Sequence, residues 1–198
     1  MRVILASKSP RRREILSMFG VQFEIVSADA DESSDTKEPA ALVEELALRK
    51  GRATRELLKA RGEWDENTLI LAADTVVADG DAILGKPCDD DDAANMLRAL
   101  SGHAHRVISG VALLYADKEA VAHDETLVRF DTMTAADVDW YVATKEPCDK
   151  AGAYAVQGLA SLFIKGLEGD YFNVVGLPVY RLNLLSKQFL QKSITEWN

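Results

Sequence analysis

One carboxylate stands in an otherwise apolar stretch. Between Thr68 and Ala78 the chain carries Leu, Ile, Val and Ala almost without interruption, and Asp74 falls in the middle of it, in Ala72-Ala73-Asp74-Thr75-Val76. An ionised side chain is costly to bury unpaired, so Asp74 needs a cationic partner, a metal or a part in proton transfer. A structural salt bridge is the plain alternative. The ends of central strands are nonetheless where α/β enzymes commonly gather their ligands.

A second candidate is Ser7-Lys8-Ser9-Pro10-Arg11-Arg12-Arg13. Ser followed by Pro reads as an N-cap and first helical residue, which places this segment at a strand-to-helix junction. Free backbone N–H groups and the helix dipole meet hydroxyls and guanidinium groups there, and together they make a cradle for phosphate. The alternative is a capped surface helix with solvated arginines, weakened here because three consecutive arginines stand out in an acidic chain.

Gly80-Asp81-Ala82-Ile83-Leu84-Gly85-Lys86-Pro87 follows a P-loop pattern as far as the lysine. Position 87 would then have to supply a hydroxyl and a helix N-terminus, and proline has neither hydroxyl nor N–H. The P-loop reading therefore fails, and Lys86 remains as a point charge for a phosphate. In Asp149 to Gly158, small residues allow close backbone approach, and Gln157 offers both a donor and an acceptor. His103 and His105 stand two apart with no second ligand pair in view, which favours a turn or hairpin-edge role over a metal site. Cys88 and Cys148 sit in no metal-ligand spacing and read as reduced thiols.

The elements that must hold these residues alternate. Residues 2 to 6 read as a short buried strand, followed by a helix to about Met18 and a strand over Val21 to Val26. An acidic stretch precedes a helix of about five turns through Leu42, Leu46 and Leu57, ending near Gly62. Thr68 to Ala78 suits a strand buried on both faces, with a turn at Asp79-Gly80. The acidic run Asp89 to Asp92 opens a helix through Leu100. Strands over Arg106 to Tyr115 and Ala120 to Phe130 flank a turn, a helix over Ala135 to Thr144 follows, and Leu182 to Gln191 closes the chain. The fold class is α/β with a mixed β-sheet and flanking helices, without repeats, linkers or a domain boundary.

The chain has 198 residues, 47% of them hydrophobic, enough to bury a core as one domain. A net charge of −9 argues against nucleic-acid polymers and anionic lipid as partners. No apolar run approaches the roughly 20 residues that span a bilayer, and the charges near the N-terminus are in the wrong order for a signal peptide. A cytoplasmic location is the expectation.

Taken together, these segments resemble the Maf family of nucleotide pyrophosphatases. The matching pieces are Ala6 to Arg12, Leu46-Ala47 with Lys50, Ala73-Asp74-Thr75, Gly85-Lys86-Pro87, Ser101-Gly102 with His105, Asp149 to Gly158, and Glu168-Gly169-Asp170 through Val175-Gly176-Leu177-Pro178. The resemblance implies a single Maf domain over 1–198, with two lobes around a cleft, similar to the inosine triphosphate pyrophosphatases. It implies hydrolysis of a nucleoside triphosphate to monophosphate and pyrophosphate with a divalent cation, Mg2+ or Mn2+, and a homodimer. By the same resemblance Asp74 becomes the catalytic acid–base residue. Glu32 becomes a second carboxylate that holds the metal with Asp74, and Ser7, Arg11, Arg12, Lys50 and Lys86 surround the triphosphate.

Within the family, the branch acting on dTTP and UTP resembles this chain at Arg11, Thr75 and Gln157, whereas the branch acting on 7-methyl-GTP carries Trp, Gln and Glu there. Gln157 can donate to a uracil or thymine carbonyl and accept from its N3–H. Three positions depart from the family pattern: Gly51 and Ser109, where alanine and threonine are usual, and Ala155, where glycine is common. Two other functions are weighed against this one. A nucleotide-sensing regulator of septum formation would not need Asp74 with Glu32, Lys50 and Lys86, and a hydrolase for damaged purines fits Thr75 and Gln157 poorly.

Overall fold

A computed structural model describes residues 1–198. Its first strand, β1, covers Arg2–Leu5, and helix α1 covers Pro10–Met18. Ser9 caps α1 as its spacing predicts, in extended conformation with its side chain accepting from the Arg12 N–H, and Pro10 fills the first helical position, where a missing N–H costs nothing. A two-residue strand, β2 (Glu24–Ile25), precedes the long helix α2 (Pro39–Ala60). The central strand β3 (Thr68–Asp79) turns at Gly80 into the short antiparallel β4 (Ala82–Leu84). Helix α3 (Asp90–Leu100) starts where the acidic run places it, with the Asp89 carboxylate accepting from the Asp92 N–H.

Strands β5 (Ala104–Tyr115) and β6 (Lys118–Phe130) follow, joined through Ala116 and Asp117, and then helix α4 (Ala135–Ala143). Beyond three 3-10 turns at Glu146–Asp149, Ala151–Ala153 and Leu159–Phe163 come strand β7 (Ile164–Glu168) and helices α5 (Tyr171–Val175) and α6 (Val179–Leu190). The sheet order is β2-β1-β3-β5-β6-β7, with β4 on β3. It is mixed: β1 runs parallel to β2 and β3, and β7 runs antiparallel to β6. No helix is long and apolar enough to cross a membrane.

The chain forms two compact units. The first comprises residues 1–74, 109–124 and 176–198, the second residues 75–108 and 125–175. The core of the first joins Ile4 and Ala6 to Ala47, Leu58, Ile70, Ala72, Ala112 and Leu114. There α2 lies close on β5: a Cβ at Gly110 would fall 2.4 Å from the Val43 carbonyl oxygen, a separation that only glycine permits. The core of the second unit packs α3 and α4 around Val107, Val128, Phe130 and Tyr154.

Two expectations change in detail. The strand expected over Val21 to Val26 pairs only at Glu24 and Ile25, because β1 is four residues long and offers it only Ile4 and Leu5. Helix α2 has 22 residues, about six turns, one more than its pattern suggests. Strand β7 and helix α5 are not foreshadowed by the hydrophobic pattern, since β7 carries no buried/exposed alternation to reveal it.

Candidate active site

The parallel register Leu5↔Leu71 brings the exit of β1 level with the middle of β3, and Ala6 N–H donates to the Leu71 carbonyl at 2.8 Å. Ser7 is thereby buried beside the strand that carries Asp74. Its Oγ accepts from the Ser9 N–H at 3.2 Å and from Arg12 Nη1 at 3.3 Å. Arg12 further donates from Nη1 to the Ala73 carbonyl and from Nε to the Gly176 carbonyl, both at 2.8 Å. One guanidinium thus ties the start of α1 to the residue before Asp74 and to the loop that enters α6. Burial lowers its pKa, against the pull of the Asp74 carboxylate, and it stays charged because arginine does not titrate in proteins.

Arg11, one position earlier, is half-buried, and its Nε is buried without a hydrogen-bond partner. A buried donor left unmatched costs about 1–3 kcal/mol, and an anion at the start of α1 would satisfy it.

Asp74 is 8% exposed, and its counter-charge comes from α2. Lys50 Nζ donates to Asp74 Oδ1 at 2.5 Å and lies 2.7 Å from Glu32 Oε1. The Lys50 and Asp74 side chains are largely covered, whereas Glu32 is exposed. Two carboxylates therefore converge on one ammonium. Arg12 also interacts electrostatically with both carboxylates and with Arg11, so three cations, Arg11, Arg12 and Lys50, stand with two anions.

The same convergence bears on the divalent cation that the family resemblance implies. Carboxylate oxygens are the donors Mg2+ and Mn2+ prefer, and Asp74 and Glu32 already meet at a point of positive charge. No group of three or more His, Cys, Asp or Glu gathers as a complete cage. Mg2+ is usually held by one or two protein carboxylates and completes its shell with water and substrate phosphates. Asp74 and Glu32 fit such an ion.

The remaining residues singled out in the sequence belong to the second unit. Thr75, half-buried, follows Asp74 on β3, and alternation turns its side chain to the opposite face of the strand. Lys86 is exposed in the loop after β4, and that loop is fastened where Gly152 N–H donates to the Gly85 carbonyl at 3.0 Å. Gln157 is exposed on a turn closed by the Gly158 N–H to the Ala155 carbonyl, 3.0 Å, while Ala155 and Val156 are buried.

The two histidines part company. His103 is exposed at the turn before β5, with Nε2 2.9 Å from Asp79 Oδ1. His105 is buried, with Nε2 2.8 Å from the Tyr154 hydroxyl and edge contacts to Phe130 and Tyr154. Cys88 and Cys148 are free thiols on the surface. Of the departures, Gly51 has a physical account: a Cβ there would lie 2.5 Å from Leu114 Cδ1, so the smaller residue makes room for a larger neighbour. Nothing in the sequence drew attention to Tyr141 and Glu146, yet both hold the Gln157 turn.

Comparison with known proteins identifies the family. A family model described as Maf-like protein matches residues 2–189. A Symbiobacterium thermophilum protein named dTTP/UTP pyrophosphatase is 46% identical, covering 94% of this chain and 93% of its own length. One of the same name from Pelotomaculum thermopropionicum is 48% identical over 94% of this chain and 96% of its own. Among solved structures, the Staphylococcus aureus Ham1 protein is similar at a TM-score of 0.47 and 14% identity over 66% of this chain and 72% of that one, too slight a likeness to add to the sheet order. The chain belongs to the Maf family.

Proposed function

We propose that this protein is a nucleoside triphosphate pyrophosphatase that hydrolyses dTTP and UTP to the monophosphate and pyrophosphate. The observation that carries the reading is the convergence of Asp74 and Glu32 on Lys50, beside Arg12 and the start of α1. Close relatives over nearly the whole chain bear the name of that activity.

Water attacks the α-phosphorus, the α–β anhydride bond breaks, and one proton leaves the attacking water. In this reading Asp74 takes that proton or holds the cation that acidifies the water. Asp74 and Glu32 would hold the divalent cation, which would supply charge neutralisation at the phosphates and a more acidic water. Ser7, Arg11, Arg12, Lys50 and Lys86 bind the triphosphate, and fixed positive charge offsets the negative charge that grows on the departing pyrophosphate. The preference for uracil and thymine rests on Arg11, Thr75 and Gln157. Its working compartment is the cytoplasm, where thiols such as Cys88 and Cys148 stay reduced.

The deciding experiment measures pyrophosphate release from dTTP, UTP, CTP, GTP and 7-methyl-GTP with Mg2+ or Mn2+, for the wild-type chain and Asp74→Asn. Turnover of dTTP and UTP that disappears in the variant is the expected result. No turnover of any nucleotide, with nucleotide binding retained, overturns the reading in favour of a sensor, and turnover confined to purines overturns the base assignment.

A further inference from the structure

The turn that carries Gln157 is held at both flanks by one pair of side chains. On its upstream side the Ala155 N–H donates to the Tyr141 hydroxyl at 3.3 Å. Downstream, the Leu159 N–H donates to both oxygens of the Glu146 carboxylate, at 3.0 and 3.1 Å. The two anchors are joined, because the Tyr141 hydroxyl donates to Glu146 Oε1 at 2.8 Å.

Gly158 completes the fit. A Cβ at this position would lie 2.3 to 2.5 Å from the Glu146 carboxylate atoms, so the carboxylate occupies the space a side chain would need. Tyr141 is fully buried on α4, and burial together with the Glu146 hydrogen bond pushes its phenol well above the usual range, keeping it a donor. Within the turn itself Ala155 and Val156 are buried and Gln157 is exposed. The circuit runs from Ala155 through Tyr141 and Glu146 to Leu159, and it fixes the backbone on either side of one exposed amide.

We infer that Tyr141 and Glu146 are positioning residues that set base selectivity by fixing the orientation of Gln157, an inference that rests on the reading of Gln157 as the base-contacting group. A side-chain amide discriminates only if its donor and acceptor are held close to the matching atoms, within about 0.5 Å. Thymine and uracil present an acceptor at O4 and a donor at N3, whereas cytosine presents a donor at N4 and an acceptor at N3, so a fixed Gln157 would oppose cytosine at both contacts. An amide on a loose turn would rotate to suit either base.

The test compares pyrophosphate release from dTTP, UTP and CTP by the wild-type chain, Gln157→Ala, Glu146→Ala, Glu146→Gln and Tyr141→Phe, together with amide hydrogen exchange at Leu159. Gln157→Ala and Glu146→Ala should each raise KM for dTTP and UTP roughly tenfold and narrow the preference over CTP, with kcat within about threefold of wild type. Exchange at Leu159 should quicken in Glu146→Ala. Glu146→Gln should restore most of the wild-type KM, since its amide oxygen can take the place of Oε1, which a merely structural role for the negative charge would not allow. If Gln157→Ala relaxes the preference while Glu146→Ala and Tyr141→Phe keep it, the positioning role is wrong and Gln157 stands. If Gln157→Ala itself leaves the preference unchanged, the reading of Gln157 fails and the inference falls with it. Should Glu146→Ala fail to fold, Tyr141→Phe, which deletes a single oxygen, decides between the same two outcomes.

Discussion

Lys50 Nζ and Asp74 Oδ1 are 2.5 Å apart, a contact made between the middle of α2 and the middle of β3. Asp74 is nearly buried, so the lysine supplies the counter-charge without which the carboxylate would be stranded in an apolar strand. The contact is thus both a structural pair and a part of the proposed catalytic group, and substitution can separate the two parts.

Asp74→Asn keeps an oxygen for Lys50 and removes the base. Turnover should fall by about 10^2- to 10^4-fold while the urea midpoint stays close to wild type. Lys50→Met removes the counter-charge instead, and should lose both turnover and about 1–3 kcal/mol of stability. Urea titration alongside pyrophosphate release checks both, and an Asp74→Asn chain that turns over at the wild-type rate would sink the assignment of Asp74.

Chelation should abolish turnover without unfolding the chain. If, as proposed, Asp74 and Glu32 hold the ion and substrate and water complete its shell, the fold would not draw its stability from the metal as a structural zinc domain does. Excess EDTA should therefore stop pyrophosphate release, added Mg2+ or Mn2+ should restore it, and the thermal midpoint should move little. Glu32→Gln should raise the metal concentration for half-maximal turnover by about tenfold or more, at least what loss of an outer-shell partner costs. Full activity in EDTA would remove the metal from the proposal.

Gly110→Ala tests the seat of α2. Its Cβ would meet the Val43 carbonyl at 2.4 Å, backbone that cannot swing aside, so the helix must move. Overpacking of this kind costs about 1–3 kcal/mol. Because Lys50 lies two turns further along the same helix, kcat should fall as well, whereas a substitution that only loosened packing would leave it alone. Circular dichroism melts and kcat measured on the folded fraction separate the two effects.

Much of this arrangement is legible in the chain because it is written in local terms. Ser9-Pro10 marks the start of α1, the acidic run marks the start of α3, and Asp74 shows itself by interrupting an apolar strand. What cannot be read locally is which distant residue answers a given group. That Lys50 would close on Asp74 and Glu32, or that Arg12 would reach the Ala73 and Gly176 carbonyls, depends on how α2 and α1 pack on the sheet. Glu146 is the extreme case. Its neighbours in Lys-Glu-Pro-Cys-Asp-Lys suggest a solvated charge, and only Tyr141, Gly158 and Leu159 in three dimensions reveal its place.

The histidines give a pH dependence of known sign. Burial lowers His105 from 6.5 to about 4, so between those values the unfolded chain holds a proton that the folded chain does not. Stability attributable to His105 therefore rises with pH across that window and is lost on acidification, by up to about 1.4 kcal/mol per pH unit. His103, only two residues away, is shifted the opposite way, chiefly by its hydrogen bond to Asp79. Its contribution is present below the unfolded value and lost as pH climbs through the raised folded one. NMR titration of the ring protons should show His103 taking up its proton at a higher pH than His105. Urea midpoints taken from pH 6.5 to 4.5 should fall less steeply for His105→Gln, which keeps a hydrogen-bonding group toward Tyr154 but cannot titrate. Equal slopes in the two chains would mean that His105 takes up its proton as readily in the folded state as in the unfolded one.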